Sequence, residues 1–161
     1  MTTYDVVVIG AGPAGYVCAI RAAQYGLKVA CIEKEYVGGV CLNVGCIPSK
    51  ALINAGKTFK KIKEADVMGI TAGDPKLDVK KMVEWKEGIV GKLTGGVAGL
   101  LKNHKIDHVA GDARVAAKGK VEVKSQDGKT QTLDTKNIVV AVGSTPIEIP
   151  GFDFDGENVW S

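Results

Sequence analysis

An α/β fold with a parallel sheet, two long helices and an inserted antiparallel β-meander is what this sequence predicts, on three observations. Val6-Val7-Val8-Ile9 is an unbroken β-branched run, the pattern of a parallel strand buried on both faces. A glycine-rich turn follows at once and opens a helical stretch that returns to a second such strand. Further on, two stretches of helical period give way to alternating apolar and polar residues, the period of a half-buried strand.

The opening unit is the most specific part of the pattern. Gly10-Ala11-Gly12-Pro13-Ala14-Gly15 completes a G-x-G-x-x-G turn. In such a turn Gly10 allows the tight bend, Gly12 lets backbone approach a pyrophosphate, and Gly15 allows close packing of helix on strand. The helix expected from about Pro13 to Tyr25 offers its N-terminal N–H groups to phosphate oxygens, and Gly26 stops it. Lys28 to Ile32 forms the second strand, and Glu33 ends it, 23 positions after Gly10. A carboxylate there accepts hydrogen bonds from a ribose diol and repels a 2′-phosphate. Together these residues predict a Rossmann-like dinucleotide-binding βαβ unit, without deciding between NAD and FAD. Cys18 and Cys31 read as core residues.

From Ser49 to about Ala65 the pattern is helical, with Leu52, Ile53, Phe59 and Ile62 as an apolar stripe and Lys50 in the first turn. Asp74-Pro75 marks a turn. A second long helix is expected from Asp78 to about Asn103, its apolar face carried by Met82, Val83, Ile89, Val90, Leu93, Val97, Leu100 and Leu101. Gly91, Gly95, Gly96 and Gly99 each cost up to about 1 kcal/mol there, so packing is expected to compensate. Extended structure begins near Ile106, and Val115 to Leu133 alternates around an Asp127-Gly128 hairpin turn. Ile138 to Val142 reads as another buried strand, ending in Gly143-Ser144. Pro146, Pro150 and Gly151 break up the remainder, so residues 1–145 read as the binding domain and 146–161 as a linker.

Composition narrows the function classes. A chain of 161 residues, 45% hydrophobic and 24% charged, is ordinary for a globular domain that buries a core. Its net charge of +3 is modest and dispersed, which does not indicate nucleic acid binding, and Lys57 to Lys63 reads as a solvated helix face. No apolar run reaches about 18 residues, and no charged segment precedes the first apolar one, so neither a membrane span nor a secretory signal is expected. A cytoplasmic setting is the expectation. Four cysteines in such a chain argue for catalysis rather than a disulfide scaffold.

Two of those cysteines stand together in Gly38-Gly39-Val40-Cys41-Leu42-Asn43-Val44-Gly45-Cys46-Ile47-Pro48-Ser49-Lys50. In a regular helix five positions give roughly 7.5 Å of axial rise with the side chains on different faces. A disulfide wants Cα atoms within about 7 Å, so a bridge requires the backbone to leave ideal geometry, which Gly45 and Asn43 tolerate. A strained bridge is more reducible than a structural one. Cys46 also precedes a helix start, where the dipole favours a thiolate. A zinc site lacks the second Cys or His pair it needs, and His104 and His108 have no ligand or triad spacing, so no metal is expected. A redox-active disulfide is the preferred reading, with two unrelated buried thiols as the alternative.

The run from Gly39 to Lys50 closely resembles the active-site segment of the flavoprotein disulfide reductases, and within them the dihydrolipoamide dehydrogenase family more than the mercuric or glutathione reductases. Leu93 to Lys102 resembles the same family. The resemblance implies that the first βαβ unit holds FAD, with Gly10, Gly12, Pro13, Ala14, Gly15, Glu33, Lys34, Gly39, Val40, Gly111, Val142, Gly143 and Ser144 around it. It implies that Cys41 forms the mixed disulfide with lipoamide, that Cys46 sits against the flavin, and that Lys50 places a cation beside it. Val40 and Val142 stand where the family usually has Thr. If each hydroxyl made one hydrogen bond to the cofactor, each loss costs about 1 kcal/mol.

By the same resemblance, a parent enzyme oxidises dihydrolipoamide carried on a lipoyl domain of a 2-oxo acid dehydrogenase complex and passes the electrons to NAD. It is a homodimer whose partner subunit supplies a histidine base. The resemblance covers nearly all of the chain but about the first third of the family's length. The expectation is therefore a partial chain, stopping before an NAD domain, that does not turn over lipoamide by itself. Two other classes stay in view: a reductase for another disulfide or mercuric ion, and a binding module whose dinucleotide pocket serves assembly.

Overall fold

The computed structural model describes residues 3–160. The elements run β1 (Thr3–Ile9), α1 (Pro13–Gln24), β2 (Val29–Glu33), α2 (Gly39–Asn43), α3 (Cys46–Lys63), a 3₁₀ turn (Ala65–Met68), α4 (Val79–Asn103), β3 (Asp107–Ala110), β4 (Asp112–Ala117), β5 (Lys120–Lys124) and β6 (Thr130–Val140). The strands form one six-stranded sheet in the order β3-β2-β1-β6-β5-β4.

β1 lies between β2 and β6 and is parallel to both, with Val7 opposite Ala30 on one side and Ile138 on the other. β3 continues the parallel part beyond β2. β4, β5 and β6 run antiparallel, which is the expected meander. It joins the parallel sheet through a single strand: β6 pairs with β5 over Thr130–Asp134 and with β1 from Asp134 to Val140. The sequence suggested separate strands because Asp134-Thr135-Lys136-Asn137 is polar. Thr135 is nevertheless buried, its hydroxyl donating to the Asn137 carbonyl, and Asn137 donates its amide to Asp5 O.

The pleat sorts the strand residues onto two faces. Val6, Val8, Val29 and Cys31 point to the face covered by Ala19 of α1 and Leu101 of α4. Val7, Ile9, Ala30 and Ile32 point to the other, against Val121, Val123 and Leu133 of the twisted meander. A strand hydrophobic on both faces is the reading that Val6 to Ile9 carried. Cys31 is buried and Cys18 packs half-buried against the same core, as the sequence suggested. Burial pushes the Cys31 thiol up to about 12, with the nearby Glu33 and Cys18 adding to it.

α1 matches its expected span, and α4 begins where expected, with the Asp78 carboxylate capping it by accepting from the Lys81 N–H at 3.0 Å. Five expectations are corrected. α3 starts at Cys46 rather than Ser49, which makes Cys46 its first residue and moves Lys50 out of the first turn. Its stripe is not buried: Leu52, Ile53 and Ile62 are exposed and Phe59 half-buried, while Pro48 and Ala51 are the buried residues. On α4 only Val90, Val97 and Leu101 of the expected face are buried, because α3, α2 and α1 cover a narrower strip than the apolar pattern offers. The α4 glycines make no close approach, since a Cβ at Gly91, Gly95, Gly96 or Gly99 meets nothing within 4 Å. The last strand ends at Val140, and Val140 and Val142 are 64% and 66% exposed, with no described element lying over them.

These contacts separate two kinds of glycine. A Cβ at Gly15 would lie 1.8 Å from the Gly10 carbonyl oxygen, so Gly15→Ala forces backbone apart and should lower stability by about 2–3 kcal/mol, the upper part of the overpacking range. Gly91→Ala should instead raise it by about 0.5–1 kcal/mol. Urea midpoints measure both, and equal effects would contradict the packing described.

Candidate active site

The glycine turn, the end of β2, the loop into α2 and the segment after β6 converge on a cleft of about 570 Å³. Each glycine of the turn has a distinct physical role there. Gly10 has φ 101°, and a Cβ on it would strike the Ala141 carbonyl oxygen at 2.2 Å, so the bend needs glycine twice over. Gly15 packs α1 on that bend. Gly12 differs: its Cβ position meets only Gly39 Cα, at 3.8 Å, and is otherwise open. Gly12 caps α1 without a side-chain hydrogen bond, Pro13 has no N–H, and the Tyr16 N–H is taken by Gly12 O at 3.0 Å. The Ala14 and Gly15 N–H groups are therefore the donors of that first turn without an intrahelical acceptor.

Glu33 holds the adjoining loop. Its Oε2 accepts from the Ala11 N–H at 2.8 Å, and its Oε1 accepts from the N–H groups of Glu35 and Tyr36 at 2.9 and 3.2 Å. One carboxylate thus fixes both the glycine turn and the chain beyond β2, while lining the cleft. The expected ribose role needs only its remaining lone pairs.

From Tyr36 the chain crosses directly onto the turn. The Gly38 N–H donates to Ala11 O at 2.8 Å, and Gly38 and Gly39 take φ of 94° and 66°. A Cβ on Gly39 would lie 2.6 Å from Gly12 Cα, so no other residue permits this approach. α2 starts there and carries Cys41 on its single turn. The helix breaks at Val44 and Gly45, where the Gly45 N–H donates to Val40 O at 2.7 Å, and α3 begins with Cys46. The two cysteines sit on separate helices, and the departure from ideal geometry falls at Val44-Gly45. Asn43, expected to share in it, is helical.

Both thiols are free, Cys41 half-buried and Cys46 exposed. The neighbouring Cys46 thiol is the main cause holding the Cys41 thiol above its ordinary range, followed by partial desolvation; the Lys50 charge acts the other way.

Most of the expected site residues share the cleft wall. Gly10, Gly12, Pro13 and Ala14 line it beside Glu33 and Lys34. Gly39, Val40 and Cys41 line it from α2, and Gly111, Val142, Gly143 and Ser144 are also in the lining. Gly15 lies beneath the turn, and Cys46 and Lys50 lie outside the lining, both exposed. Sequence reasoning missed Glu35, Tyr36, Asp112, Ala113 and Thr145, each within two positions of a residue it found. It also missed the hydrogen bonds of Asn43. Among the described residues no cluster of metal-ligating side chains occurs, and no helix is long and apolar enough to cross a membrane.

A dinucleotide-type turn joined to a neighbouring thiol pair defines a class, and comparison with known proteins agrees. The family model described as pyridine nucleotide-disulphide oxidoreductase matches residues 4–160, and the chain belongs to that family. Similar curated proteins are dihydrolipoyl dehydrogenases. That of Bacillus subtilis is 55% identical over 150 residues, which is 93% of this chain and 32% of the relative. That of Thermus scotoductus is 49% identical over 160 residues (99% and 33%), and that of Halobacterium salinarum 48% over 160 residues (98% and 34%). The chain spans about a third of the length of the curated relatives it matches. A solved structure, the Cu(II) complex of the HOCl-induced flavoprotein disulfide reductase RclA from Escherichia coli, superposes with a TM-score of 0.78 at 25% identity, covering 93% of this chain and 31% of that one.

The electrostatics of the pair predict two opposite shifts. Cys46→Ala removes the partner that favours protonated Cys41 and leaves Lys50, so the pH midpoint of Cys41 alkylation by iodoacetamide should fall. Lys50→Met removes the cation that favours the thiolate, so the midpoint should rise. Mass spectrometry of the Cys41 peptide against pH reads both, and the reverse order would contradict the arrangement.

Proposed function

We propose that the chain provides the FAD-binding and thiol-exchange portion of an oxidoreductase of the dihydrolipoyl dehydrogenase kind, which oxidises dihydrolipoamide on a lipoyl carrier of a 2-oxo acid dehydrogenase complex with NAD as final acceptor. The observation that carries this reading is the presence of Cys41 on the wall of the cleft that begins at the glycine turn, with Cys46 following one helix break later. A dinucleotide site alone fits many functions; a thiol pair with one member on the wall of that cleft asks for a two-electron exchange.

The residues present suit FAD. Gly12 leaves its Cβ position open, and the free N–H groups of Ala14 and Gly15 at the positive end of α1 suit a pyrophosphate. Glu33, Lys34 and the Gly111 backbone would serve the adenosine end, and Val142, Gly143 and Ser144 line the same cleft as Val40 and Cys41. Bound FAD would supply two-electron chemistry between a dithiol and a nicotinamide.

The chain's own chemistry is thiol exchange. In the oxidised pair, a thiolate of the dithiol substrate attacks Cys41 Sγ, a new S–S bond forms, and the Cys41–Cys46 bond breaks with Cys46 leaving as thiolate. The substrate's second thiol then displaces Cys41. The products are a cyclic disulfide and the reduced cysteine pair, whose sulfurs take up the two protons that the substrate thiols give up. Cys46 leaves at the first residue of α3, where the helix dipole favours negative charge, and Lys50 lies close enough to Cys41 to favour its thiolate. The assignment of exchange to Cys41 and of the flavin side to Cys46 follows the family resemblance. A homodimer and a cytoplasmic setting belong to the same proposal. A reductase for another disulfide is the second reading; the higher identity to dihydrolipoyl dehydrogenases than to the bacterial reductase favours the first.

FAD binding provides the test. The purified chain should quench FAD fluorescence saturably, and Gly12→Ala, which has no internal clash, should weaken that binding at least tenfold without moving the urea midpoint. Absence of saturable binding, or equal binding by Gly12→Ala, would contradict the assignment of the cleft.

A further inference from the structure

Between the two thiols stands a residue whose side chain touches neither. α2 is five residues long, and its N-cap Gly38 is left-handed with no side-chain cap. A single helical turn is unstable by itself, because nucleation fixes several residues for one hydrogen bond. The side chain of Asn43, the last residue of α2, supplies what is missing: its Nδ2 donates to Gly39 O at 2.9 Å and to Val37 O at 3.1 Å. Both acceptors are carbonyl oxygens, so only the amide nitrogen can face them, and the orientation of the side chain is fixed by chemistry.

The two bonds span unlike ground. Gly39 O belongs to the first residue of the helix, whereas Val37 O precedes the cap. One amide therefore closes a ring of chain from Val37 to Asn43, with Cys41 inside it and the left-handed Gly38 and Gly39 held between the two carbonyls. The same glycines make the contact with Gly12 and Ala11. Immediately after Asn43 comes the Val44-Gly45 break and then Cys46.

We infer that Asn43 is a positioning residue, clamping the Val37–Gly39 loop to α2 so that Cys41 is held against Cys46. The inference rests on the reading of these cysteines as an exchange pair. With the clamp gone, α2 frays, Cys41 moves independently of Cys46, and the effective concentration of each thiol at the other falls. Asn43→Asp keeps the shape but sets an acceptor-only carboxylate against two carbonyl oxygens. Asn43→Ser keeps a short donor that can reach back to a carbonyl one turn earlier.

The test equilibrates the 161-residue chain with mixtures of reduced and oxidised glutathione and reads the Cys41–Cys46 disulfide by alkylation and peptide mass spectrometry. The wild-type chain should form the bridge. Asn43→Ala and Asn43→Asp should lower its equilibrium constant at least tenfold, and Asn43→Ser should lower it less. Thr58→Ala is the control: it deletes a side-chain bond to Asn54 O on α3, far along the helix from the pair, and should leave the constant unchanged. Should Asn43→Ala not fold, Asn43→Asp and Asn43→Ser carry the comparison. A wild-type chain that never bridges overturns the exchange-pair reading itself. Bridging by the wild type with equal constants in the Asn43 variants, or an equal shift in Thr58→Ala, overturns the positioning role and leaves that reading standing.

Discussion

Two backbone segments touch where Gly39 lies on Gly12. At that crossing a Cβ on Gly39 would stand 2.6 Å from Gly12 Cα, and the Gly38 N–H reaches Ala11 O at 2.8 Å. The first helix and the thiol helix thus begin from one shared point, as close as main chain can come. Everything functional is downstream of that contact. It gives the cleft its width at the turn, puts Cys41 on the wall, and sends the chain through Val44-Gly45 to Cys46. A side chain at Gly39 would force the two segments apart at the point where they touch.

The polar groups around the crossing hold it from three sides. Glu33 gathers the N–H groups of Ala11, Glu35 and Tyr36, so the carboxylate that ends β2 also fixes the loop leading to the crossing. A charged acceptor satisfying three backbone donors is worth more than three neutral contacts, because each bond is charge-assisted. Asn43 closes the loop from its far side. The hydrophobic sheet beneath supplies rigidity, with Val7, Val8 and Ile32 almost fully buried within a few residues of the cleft.

What the sequence made legible follows from how local each signal is. The β1-turn-α1-β2 unit is readable because its constraints are backbone constraints: Gly15 is required by a contact with Gly10 five residues away, Gly10 takes a positive φ in the turn, and Glu33 ends a strand whose pattern is continuous. The Asp78 start of α4 was readable because a cap is one side chain and the next turn. The start of α3 was misplaced because Ile47-Pro48 resembles a boundary, although Pro is accommodated in a first turn where its missing N–H costs nothing. The continuity of β6 escaped notice because a polar stretch was carried by partners far along the chain, Asp5 among them. Apolar patterns on α3 and α4 mark apolar faces but not what covers them, and Leu52, Ile53 and Ile62 stay exposed. Asn43 looked like a residue chosen for tolerance; its two long-reaching bonds appear only once Val37 and Gly39 are in place.

The coupling of the crossing to both sites is tested most directly by amide chemical shifts during a titration with FAD. If the turn and the thiol helix move as one body, resonances from Gly38 through Cys46 shift together with those of Gly10 to Gly15 and report a single dissociation constant. Shifts confined to Gly10–Gly15, with Gly38 to Cys46 unmoved, would show that the cysteines do not share the nucleotide cleft.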